Sequence, residues 1–315
     1  MRACIITGND GWHVRDLQRA AAQTGIEVST AAFQTLHACL GDIAAPDAQV
    51  RVAVVRTMPA GSLEQVVFRM DVLHHWQKRG VLVCNPPRAL ETCVDKYLAG
   101  VRLQEAGVPV PPTWVGQKAA QALDAFEQLG GDVVVKPLFG SEGRGMMRVS
   151  HRELAGRVFR TLEQMGAVMY VQSFLRHPGW DLRLFVIDQQ VVAAMKRYAA
   201  PGQWRTNIAQ GGHAEPFQPD GYLRDLAVRA ARAVGAFVCG VDILLHQHTY
   251  FVLEVNAVPG WRALARVCQV DIAARLWTGI RQQLSQGMSV DGVEHGHGHG
   301  RVPGMSVGSD GTQTG

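Results

Sequence analysis

Long apolar runs are absent from this sequence, and their absence excludes a class of protein. No window holds the roughly 18 uninterrupted apolar residues that a membrane-spanning helix needs, so we expect no transmembrane segment and no membrane partner. The chain opens with a short apolar run, Ala3 to Ile6, which is too short for the hydrophobic region of a secretory signal. We therefore expect a protein that stays in the cytoplasm.

Cysteine pairs and excess charge are also scarce. The six cysteines are scattered with no close pair, which argues against a disulfide framework and favours free thiols in a reducing compartment. Lysine and arginine together number 31 against 27 acids, and the resulting charge of +4 is too mild to indicate nucleic-acid binding. No basic stripe alternates with aromatic residues either. We therefore expect no nucleic-acid partner.

What the chain does have is enough apolar sequence for several packed units. Its 315 residues are 47% hydrophobic and 18% charged, which allows two or three units that share one cleft. Composition divides the chain into 1–87, 88–149, 150–286 and 287–315. The first stretch alternates helices with short strands, as a parallel α/β unit does, and the strands are predicted over 2–7, 49–56 and 80–84. The last stretch has almost no core-forming residues, so we expect a disordered tail.

A buried strand that ends in a lysine and passes into a glycine-rich loop is the most informative segment. Three valines precede Lys136, and three glycines follow within residues 140–145. Glycines let backbone N–H groups approach phosphate oxygens, and a lysine at the strand end supplies a positive charge. The pattern therefore predicts phosphate binding, with an ordinary hairpin turn as the alternative. It lacks the Gly-Lys-Ser/Thr ending of a P-loop.

Acidic residues lie in two apolar strands further along the chain. Asp242 interrupts one apolar run, while Glu254 and Asn256 are two residues apart and therefore project from one face of a second strand. Oxygens of Asp, Glu and Asn suit a magnesium ion that is shared with nucleotide phosphates. Pairing of these acids with buried arginines is the alternative.

Arginines recur around a predicted hairpin in which strand 181–187 returns through 188–189 as strand 190–197. Asp181 and Arg183 share a strand face, Arg197 lies on the returning strand, and Arg205 lies in the next loop. Converging arginines stabilise the negative charge that develops in acyl or phosphoryl transfer. The alternative is that each arginine separately forms a surface salt bridge.

The order of these motifs resembles the ATP-grasp superfamily, and within it the RimK-type α-L-glutamate ligases. The resemblance covers about 85–284 and rests on Asp95-Lys96, Gly107-Val108-Pro109-Val110-Pro111, Val135-Lys136-Pro137, Gly143-Arg144-Gly145, Asp181-Leu182-Arg183, Arg205-Thr206-Asn207, Gly240-Val241-Asp242 and Glu254-Val255-Asn256. It implies an α/β protein with α+β subdomains, in which an ATP-grasp fold follows an N-terminal Rossmann-like (pre-ATP-grasp) domain. On that fold the stretches 88–149 and 150–286 are the first and second ATP-grasp subdomains.

By this resemblance the chain is expected to be an ATP-dependent carboxylate–amine ligase that works through an acyl phosphate. The implied cofactors are ATP and two Mg²⁺ or Mn²⁺ ions, and the implied amino donor is glutamate. The segments 56–59, 61–65 and 258–261 look similar to those of ligases of tetrahydromethanopterin-type cofactors, so a small-molecule carboxylate is the expected acceptor. A ribosomal-protein or peptide tail as acceptor, and a nucleotide-binding regulator without catalysis, are the alternatives. A dimer or tetramer is also implied.

The resemblance assigns roles to individual residues. Two lysines would hold the phosphates under the glycine-rich loop, a strand end would bind adenine through its backbone, and an acid and a later loop would contact the ribose and the triphosphate: Lys96, Lys136, Ser141, Glu142, Gly143, Arg144, Gly145, Gln172, Ser173, Phe174, Leu175, Asp181, Arg205, Thr206 and Asn207. The metal ligands would be Asp242, Glu254 and Asn256. Arg183 and Arg197 would stabilise the acyl phosphate and the tetrahedral intermediate.

Residues of the first unit are candidates for contact with an acidic acceptor. The segment 9–13 follows the first strand at its carboxyl end, where α/β units place ligands. Arg56 ends another strand and Arg69 lies on the helix that follows it. The alternative for each arginine is an ordinary solvated side chain.

Overall fold

The computed structural model describes residues 1–40, 50–140, 145–206 and 211–290, and the side chains up to residue 286. Within these ranges the chain forms three sheets. No helix among the described residues is long and apolar enough to cross a bilayer. Several predictions fall outside these ranges, namely those for Ser141, Glu142, Gly143, Arg144, Asn207 and most of the predicted tail.

The first sheet is parallel, with the strand order β2–β1–β3–β4 and helices that cover it. Its elements are β1 (Arg2–Thr7), α1 (Trp12–Gln23), β2 (Glu27–Ala32), β3 (Val52–Val55), α2 (Leu63–Lys78) and β4 (Leu82–Cys84). Helix α2 begins where Ser62 and Gln65 form a capping box. Because the strands are parallel, Thr7 at the end of β1 lies at the same edge as Arg56 and Asn85, which follow β3 and β4, and we call this edge the first-sheet edge.

Strand β2 is absent from the sequence prediction. It is an edge strand with mostly exposed or partly buried residues, so it shows no run of apolar residues. The central strands β1 and β3 are buried and therefore consist largely of apolar residues, and these apolar runs are the signal that predicts them from the sequence.

The second sheet is antiparallel, with the order β5–β8–β6–β7. After the connecting helices α3 (Pro87–Val94) and α4 (Lys96–Glu105), it comprises β5 (Thr113–Gly116), α5 (Ala119–Gln128), β6 (Val133–Pro137), β7 (Met147–Val149), α6 (Arg152–Gln164) and β8 (Met169–Ser173). The boundary predicted at residue 149 lies inside this unit, because β8 pairs with β5 and β6. We therefore place the end of the unit at Ser173. Composition along the chain cannot reveal pairing between strands that are distant in sequence.

The third sheet is antiparallel, with the order β11–β10–β9–β12–β13. Its elements are β9 (Trp180–Ile187), β10 (Gln190–Tyr198), β11 (His213–Pro216), α7 (Gly221–Ala233), β12 (Val238–His246), β13 (Thr249–Asn256), α8 (Arg262–Cys268) and α9 (Ile272–Val290). The predicted hairpin of β9 and β10 is present, and its turn residues Asp188 and Gln189 both have positive φ. Helix α9 ends at Val290, so its last four residues, 287–290, belong to the predicted tail.

The side chains of β9 alternate between two environments. Leu182, Leu184 and Val186 pack in the core beneath α7. On the other face, Phe185 and Ile187 pack in a core shared with Trp261, Trp277 and residues of the first unit. Asp181 and Arg183 continue that same face, which is therefore apolar at one end and charged at the other.

Asn85 joins the first unit to the third sheet. Its side chain is 1% exposed, donates to the carbonyls of Val238 (2.6 Å) and Ala257 (2.5 Å), and accepts from the N–H groups of Phe237 (2.7 Å) and Val238 (2.8 Å). All of its hydrogen-bonding capacity thus goes to backbone groups that cross the junction. The first unit is therefore held firmly against the end of β13.

Candidate active site

Six predicted site residues meet at the charged end of the third-sheet face. Cross-strand register places Arg183 opposite Asp242, Asp242 opposite Glu254, and Asp181 opposite Arg197. Asn256 lies two residues beyond Glu254, opposite Gly240. We call this group the charged face: Asp181, Arg183, Arg197, Asp242, Glu254 and Asn256.

Two arginines neutralise two aspartates on the charged face. Arg183 binds Asp242 in a bidentate pair, Nε to Oδ1 at 2.7 Å and Nη2 to Oδ2 at 2.7 Å. Arg197 binds Asp181 in the same way at 2.7 and 2.5 Å, and its Nη2 also lies 3.0 Å from Asp242 Oδ2. Burial raises the pKa of Asp242, but the two arginines outweigh it and lower that pKa to about 2. Pairing with buried arginines, the alternative interpretation of the acids, thus holds for Asp242.

Arg197 and Asp181 are enclosed, because each side chain is 4% exposed. The resemblance implied that Asp181 contacts ribose and that Arg197 contacts the reacting groups. In this structure the carboxylate and the guanidinium bind each other instead. Arg183 keeps 16% exposure, so it is the arginine of the charged face that remains open to a ligand.

Among the three acids of the charged face, Glu254 is the one without a partner in the described residues. Within the described part of the chain its carboxylate makes no hydrogen bond and no ion pair. Burial and the neighbouring Asp242 raise its pKa, and the positive charges of Arg183, Lys136 and Lys96 offset this in part. Two adjacent carboxylates, one of them unpaired, are an arrangement that a divalent cation relieves.

The donor set on these strands fits a magnesium ion that takes its remaining ligands from phosphates and water. The Oδ1 atom of Asn256 accepts the Val258 N–H at 2.9 Å, which fixes the orientation of the amide. No group of three or more His, Cys, Asp or Glu suited to a metal occurs in the described ranges. A site of two carboxylates and one amide is too small to be a closed protein cage, which agrees with the preference of magnesium for shared phosphate and water ligands.

Two lysines face these acids from the second sheet and from α4. Lys136 Nζ donates to Gln172 Oε1 at 2.7 Å, and burial lowers the pKa of Lys136 to about 8, although Glu254 raises it. Lys96 Nζ donates to the carbonyls of Leu138 (3.2 Å) and Gly140 (2.9 Å), and burial lowers its pKa as well. Two partly desolvated cations, one on the second sheet and one on α4, therefore act on the charge of Glu254 on the third sheet.

The described end of the glycine-rich loop requires glycine. Gly145 has a φ of +73°, and a Cβ there would lie 3.0 Å from Pro137 Cγ. In β12, by contrast, a Cβ on Gly240 would make ordinary van der Waals contacts, 3.4 Å from Pro259 Cβ and 3.6 Å from Arg183 Nε.

The strand end that was assigned to adenine is partly engaged by the protein. The Ser173 N–H donates to the Pro112 carbonyl and the Phe174 N–H to the Asp132 carbonyl, both at 2.9 Å. Two of the N–H groups in 172–175 are thus already paired. The side chain of Gln172 positions Lys136. Its Oε1 accepts from Lys136 Nζ, and its Nε2 donates to Thr113 Oγ1 at 2.9 Å. The sequence prediction missed this role, because it treated 172–175 as a backbone contact.

Arg205 lies beside the glycine-rich loop. Its Nη2 donates to the Met146 carbonyl, and its buried Nε donates to no partner among the described residues. Thr206 next to it is buried. An unpaired guanidinium N–H at this position is available to an anionic ligand.

Comparison with known proteins agrees with this geometry. A family model for the RimK-like ATP-grasp domain matches residues 93–280. Tetrahydromethanopterin:alpha-L-glutamate ligase of Methanosarcina acetivorans is 34% identical over 263 residues, which cover 76% of this chain and 80% of that protein. A probable alpha-L-glutamate ligase of Thioalkalivibrio sulfidiphilus is 36% identical over 213 residues, 67% of this chain and 71% of that protein.

Solved structures share the fold. The ATP-grasp ligase PsnB, complexed with a minimal precursor, superposes with a TM-score of 0.72 at 24% identity, over 89% of this chain and 98% of that chain. The D-cycloserine synthetase DcsG gives a TM-score of 0.70 at 18% identity, over 90% of this chain and all (100%) of that chain. The fold class and the family predicted from the sequence are therefore confirmed, and the chain belongs to the RimK-like ATP-grasp family of ligases.

Proposed function

We propose that this chain is an ATP-dependent carboxylate–amine ligase that adds L-glutamate to a carboxylate of a small molecule, with a tetrahydromethanopterin-type pterin as the foremost acceptor class. The observation that carries the proposal is the cluster in which Lys96 and Lys136 act on the unpaired Glu254 beside the ionised Asp242. The names of the relatives support glutamate as donor and a pterin cofactor as acceptor.

The residues divide the work by charge. Lys96, Lys136 and Arg205 would bind the phosphates, and Asp242, Glu254 and Asn256 would hold one or two Mg²⁺ or Mn²⁺ ions. A bound divalent cation supplies charge neutralisation where the negatively charged substrates approach each other. The expected chemistry is phosphoryl transfer from ATP to the acceptor carboxylate, followed by amine attack on the acyl carbon with release of phosphate.

The two arginines of the charged face take different roles in this proposal. Arg183 is partly exposed and would stabilise negative charge on the reacting acyl oxygen. Arg197 is enclosed between Asp181 and Asp242, so we assign it as a positioning residue that holds Asp242 in place. Asp181 in turn orients Arg197, and a contact between Asp181 and ribose would require this pair to open.

The cysteines bear on the compartment in which the enzyme works. All six cysteines are free, three of them buried, which supports a reducing compartment such as the cytoplasm. A dimer or tetramer remains a prediction from the family resemblance.

The proposal is tested by measuring ADP release and the mass of the product. Purified protein is incubated with ATP, Mg²⁺, glutamate and, in parallel, a tetrahydropterin with a free carboxylate or a peptide that ends in glutamate. We expect ADP only when donor and acceptor are both present, with an acceptor mass increased by one glutamyl residue. Extension of the peptide instead would favour a protein tail as acceptor. ATP binding without ADP under every combination would favour a regulator.

A further inference from the structure

Two buried arginines of the first unit have no acidic partner among the residues that the structure describes. Arg56 is 6% exposed and Arg69 is 4% exposed. The other buried charged side chains in the described ranges are Asp181, Arg197 and Asp242, which pair with one another. No described carboxylate lies within 4.0 Å of either Arg56 or Arg69. A buried cation without a counter-charge is costly unless a ligand supplies the anion.

Arg56 uses little of its hydrogen-bonding capacity. Its Nη2 donates to the Pro259 carbonyl at 3.0 Å, and its guanidinium lies 4.4 Å from the centre of a ring of Trp261. Its Nε is buried and has no hydrogen-bond partner in the part of the chain that the structure describes. Burial lowers the pKa of Arg56 to about 10, so the side chain remains positively charged at neutral pH.

Exposed residues with polar groups lie next to Arg56 at the first-sheet edge. Gly8, Asn9 and Thr57 are exposed, and the Gly8 N–H donates to Thr57 Oγ1 at 2.6 Å. Arg69 contacts the segment that follows Arg56, because its Nη1 donates to the Pro59 carbonyl at 2.8 Å. A parallel sheet binds ligands at this edge, so both arginines contact or adjoin a segment placed where a ligand is expected.

The same edge is tied to the active site. Pro259, which Arg56 holds, lies three residues beyond Asn256 of the charged face. The Trp261 N–H donates to His13 Nε2 at 3.0 Å, and the Trp261 indole N–H donates to Asp16 Oδ2 at 2.9 Å. Burial and Arg56 lower the pKa of His13 to about 4, so it adds no positive charge at neutral pH. A ligand at Arg56 would therefore lie close to the reacting groups.

We propose that Arg56, assisted by Arg69, binds a carboxylate of the acceptor that does not take part in the reaction. The acceptor would thus carry at least two acidic groups, one held at the first-sheet edge and the other presented to the charged face. This inference rests on the proposed function, because the acceptor is the substrate of that ligation. It narrows the substrate class to polycarboxylates.

The test uses glutarate as a probe and its diamide, glutaramide, as a neutral control of the same length. Binding is followed in the full chain by nuclear magnetic resonance of the arginine Nε–H groups, with the Arg56 signal assigned from its loss in Arg56→Lys. We expect glutarate to shift the Arg56 signal and glutaramide to leave it unchanged. Arg56→Lys should weaken glutarate at least about tenfold, since one charge-assisted hydrogen-bond pair is lost, and Arg69→Gln should weaken it less.

Arg2→Gln is the matched control, because Arg2 lies at the opposite edge of the same sheet and pairs with Glu27 on the surface. Its affinity for glutarate should equal that of the wild type. Equal binding of glutarate and glutaramide, or an Arg56→Lys variant with wild-type affinity, would overturn the inference. If Arg56→Lys does not fold, the decision rests on the affinities of the wild type and of Arg69→Gln for the two probes: the wild type should prefer glutarate to glutaramide, and Arg69→Gln should weaken glutarate alone.

The outcome can be separated from that of the proposed function. Glutarate binding at Arg56 requires neither ATP nor catalysis, so it stands as an anion site even if no donor and acceptor pair releases ADP. ADP release with a monocarboxylate acceptor at the same kcat/KM as with a dicarboxylate would overturn the inference while the ligase proposal stands.

Discussion

The charged face of the third sheet and the first-sheet edge both bury arginine side chains, but they balance the charge differently. On the charged face, Arg183 and Arg197 form ion pairs with Asp181 and Asp242, so the protein supplies both the positive and the negative charges. At the first-sheet edge, Arg56 and Arg69 donate to carbonyl oxygens and lie over aromatic rings, and none of the described carboxylates is within 4.0 Å of them. The first arrangement holds its arginines in place through ion pairs within the protein. The second leaves a positive charge for a ligand to neutralise.

The largest expected effect comes from a substitution on the charged face, where the protein itself neutralises the arginines. Arg197→Met leaves Asp181 and Asp242 buried with one cation between them, so we predict that the free energy of unfolding falls by about 3–5 kcal/mol. Arg157→Met is the control, because Arg157 forms an exposed pair with Glu153, at 70% and 81% exposure, and should change stability by about 0.5 kcal/mol or less. Urea unfolding of both variants measures this. Equal losses would contradict the burial argument.

Glu254→Gln sharpens the comparison within the charged face. We predict that ligation falls at least about 100-fold, because the variant loses an oxygen donor for the metal and the phosphates. Because the pKa of Glu254 is raised in the folded chain, its ionised form opposes folding above its ordinary pKa of 4.5, so the variant should unfold at a higher temperature at neutral pH. The ADP assay and thermal unfolding at pH 7 check both results. Normal turnover with Mg²⁺ as the sole metal would exclude the metal assignment.

The titration of Lys136 gives a smaller effect. Its pKa is lowered from 10.5 to about 8, so in the free enzyme it loses its proton as the pH rises through about 8. We predict that ATP affinity declines about tenfold from pH 7 to pH 9, and that Lys136→Arg, which keeps its charge in this range, shows no such decline. Fluorescence titration with an ATP analogue over this pH range measures it. Parallel profiles for the two proteins would assign the titration to another group.

The smallest effect is expected at the first-sheet edge. Arg56→Met removes a buried cation that has no carboxylate partner, so we predict that the free energy of unfolding changes by only about 1 kcal/mol, in contrast with Arg197→Met. The same urea experiment compares the two. A loss at Arg56 as large as that at Arg197 would show that the protein itself stabilises this cation.

The sequence predicts the charged face well because strand alternation is a local rule. Glu254 and Asn256 were expected on one face of a strand, and the register places them beside Asp242 and Gly240. The hairpin of β9 and β10 was likewise predicted from a short turn between apolar strands. Each of these features depends on residues that are close in sequence.

Other features depend on tertiary contacts and were not predicted. Strand β2 is a largely exposed edge, and β8 joins its sheet by pairing with distant strands. The capture of Arg197 by Asp181, and the burial of Arg56 against Trp261, follow from how the strands and units pack. Charge type is visible in a sequence, whereas the presence of a partner is visible only in the fold.

The most direct test of the central claim follows an oxygen atom. An acceptor whose carboxylate carries a heavy oxygen isotope is incubated with the enzyme, ATP, Mg²⁺ and glutamate, and the released phosphate is analysed by mass spectrometry. We predict one labelled oxygen in each phosphate released, because the acceptor carboxylate attacks phosphorus and later leaves its oxygen there. Unlabelled phosphate, formed together with the glutamylated product, would contradict the acyl phosphate intermediate. It would also contradict the roles that we propose for Lys96, Lys136 and Glu254.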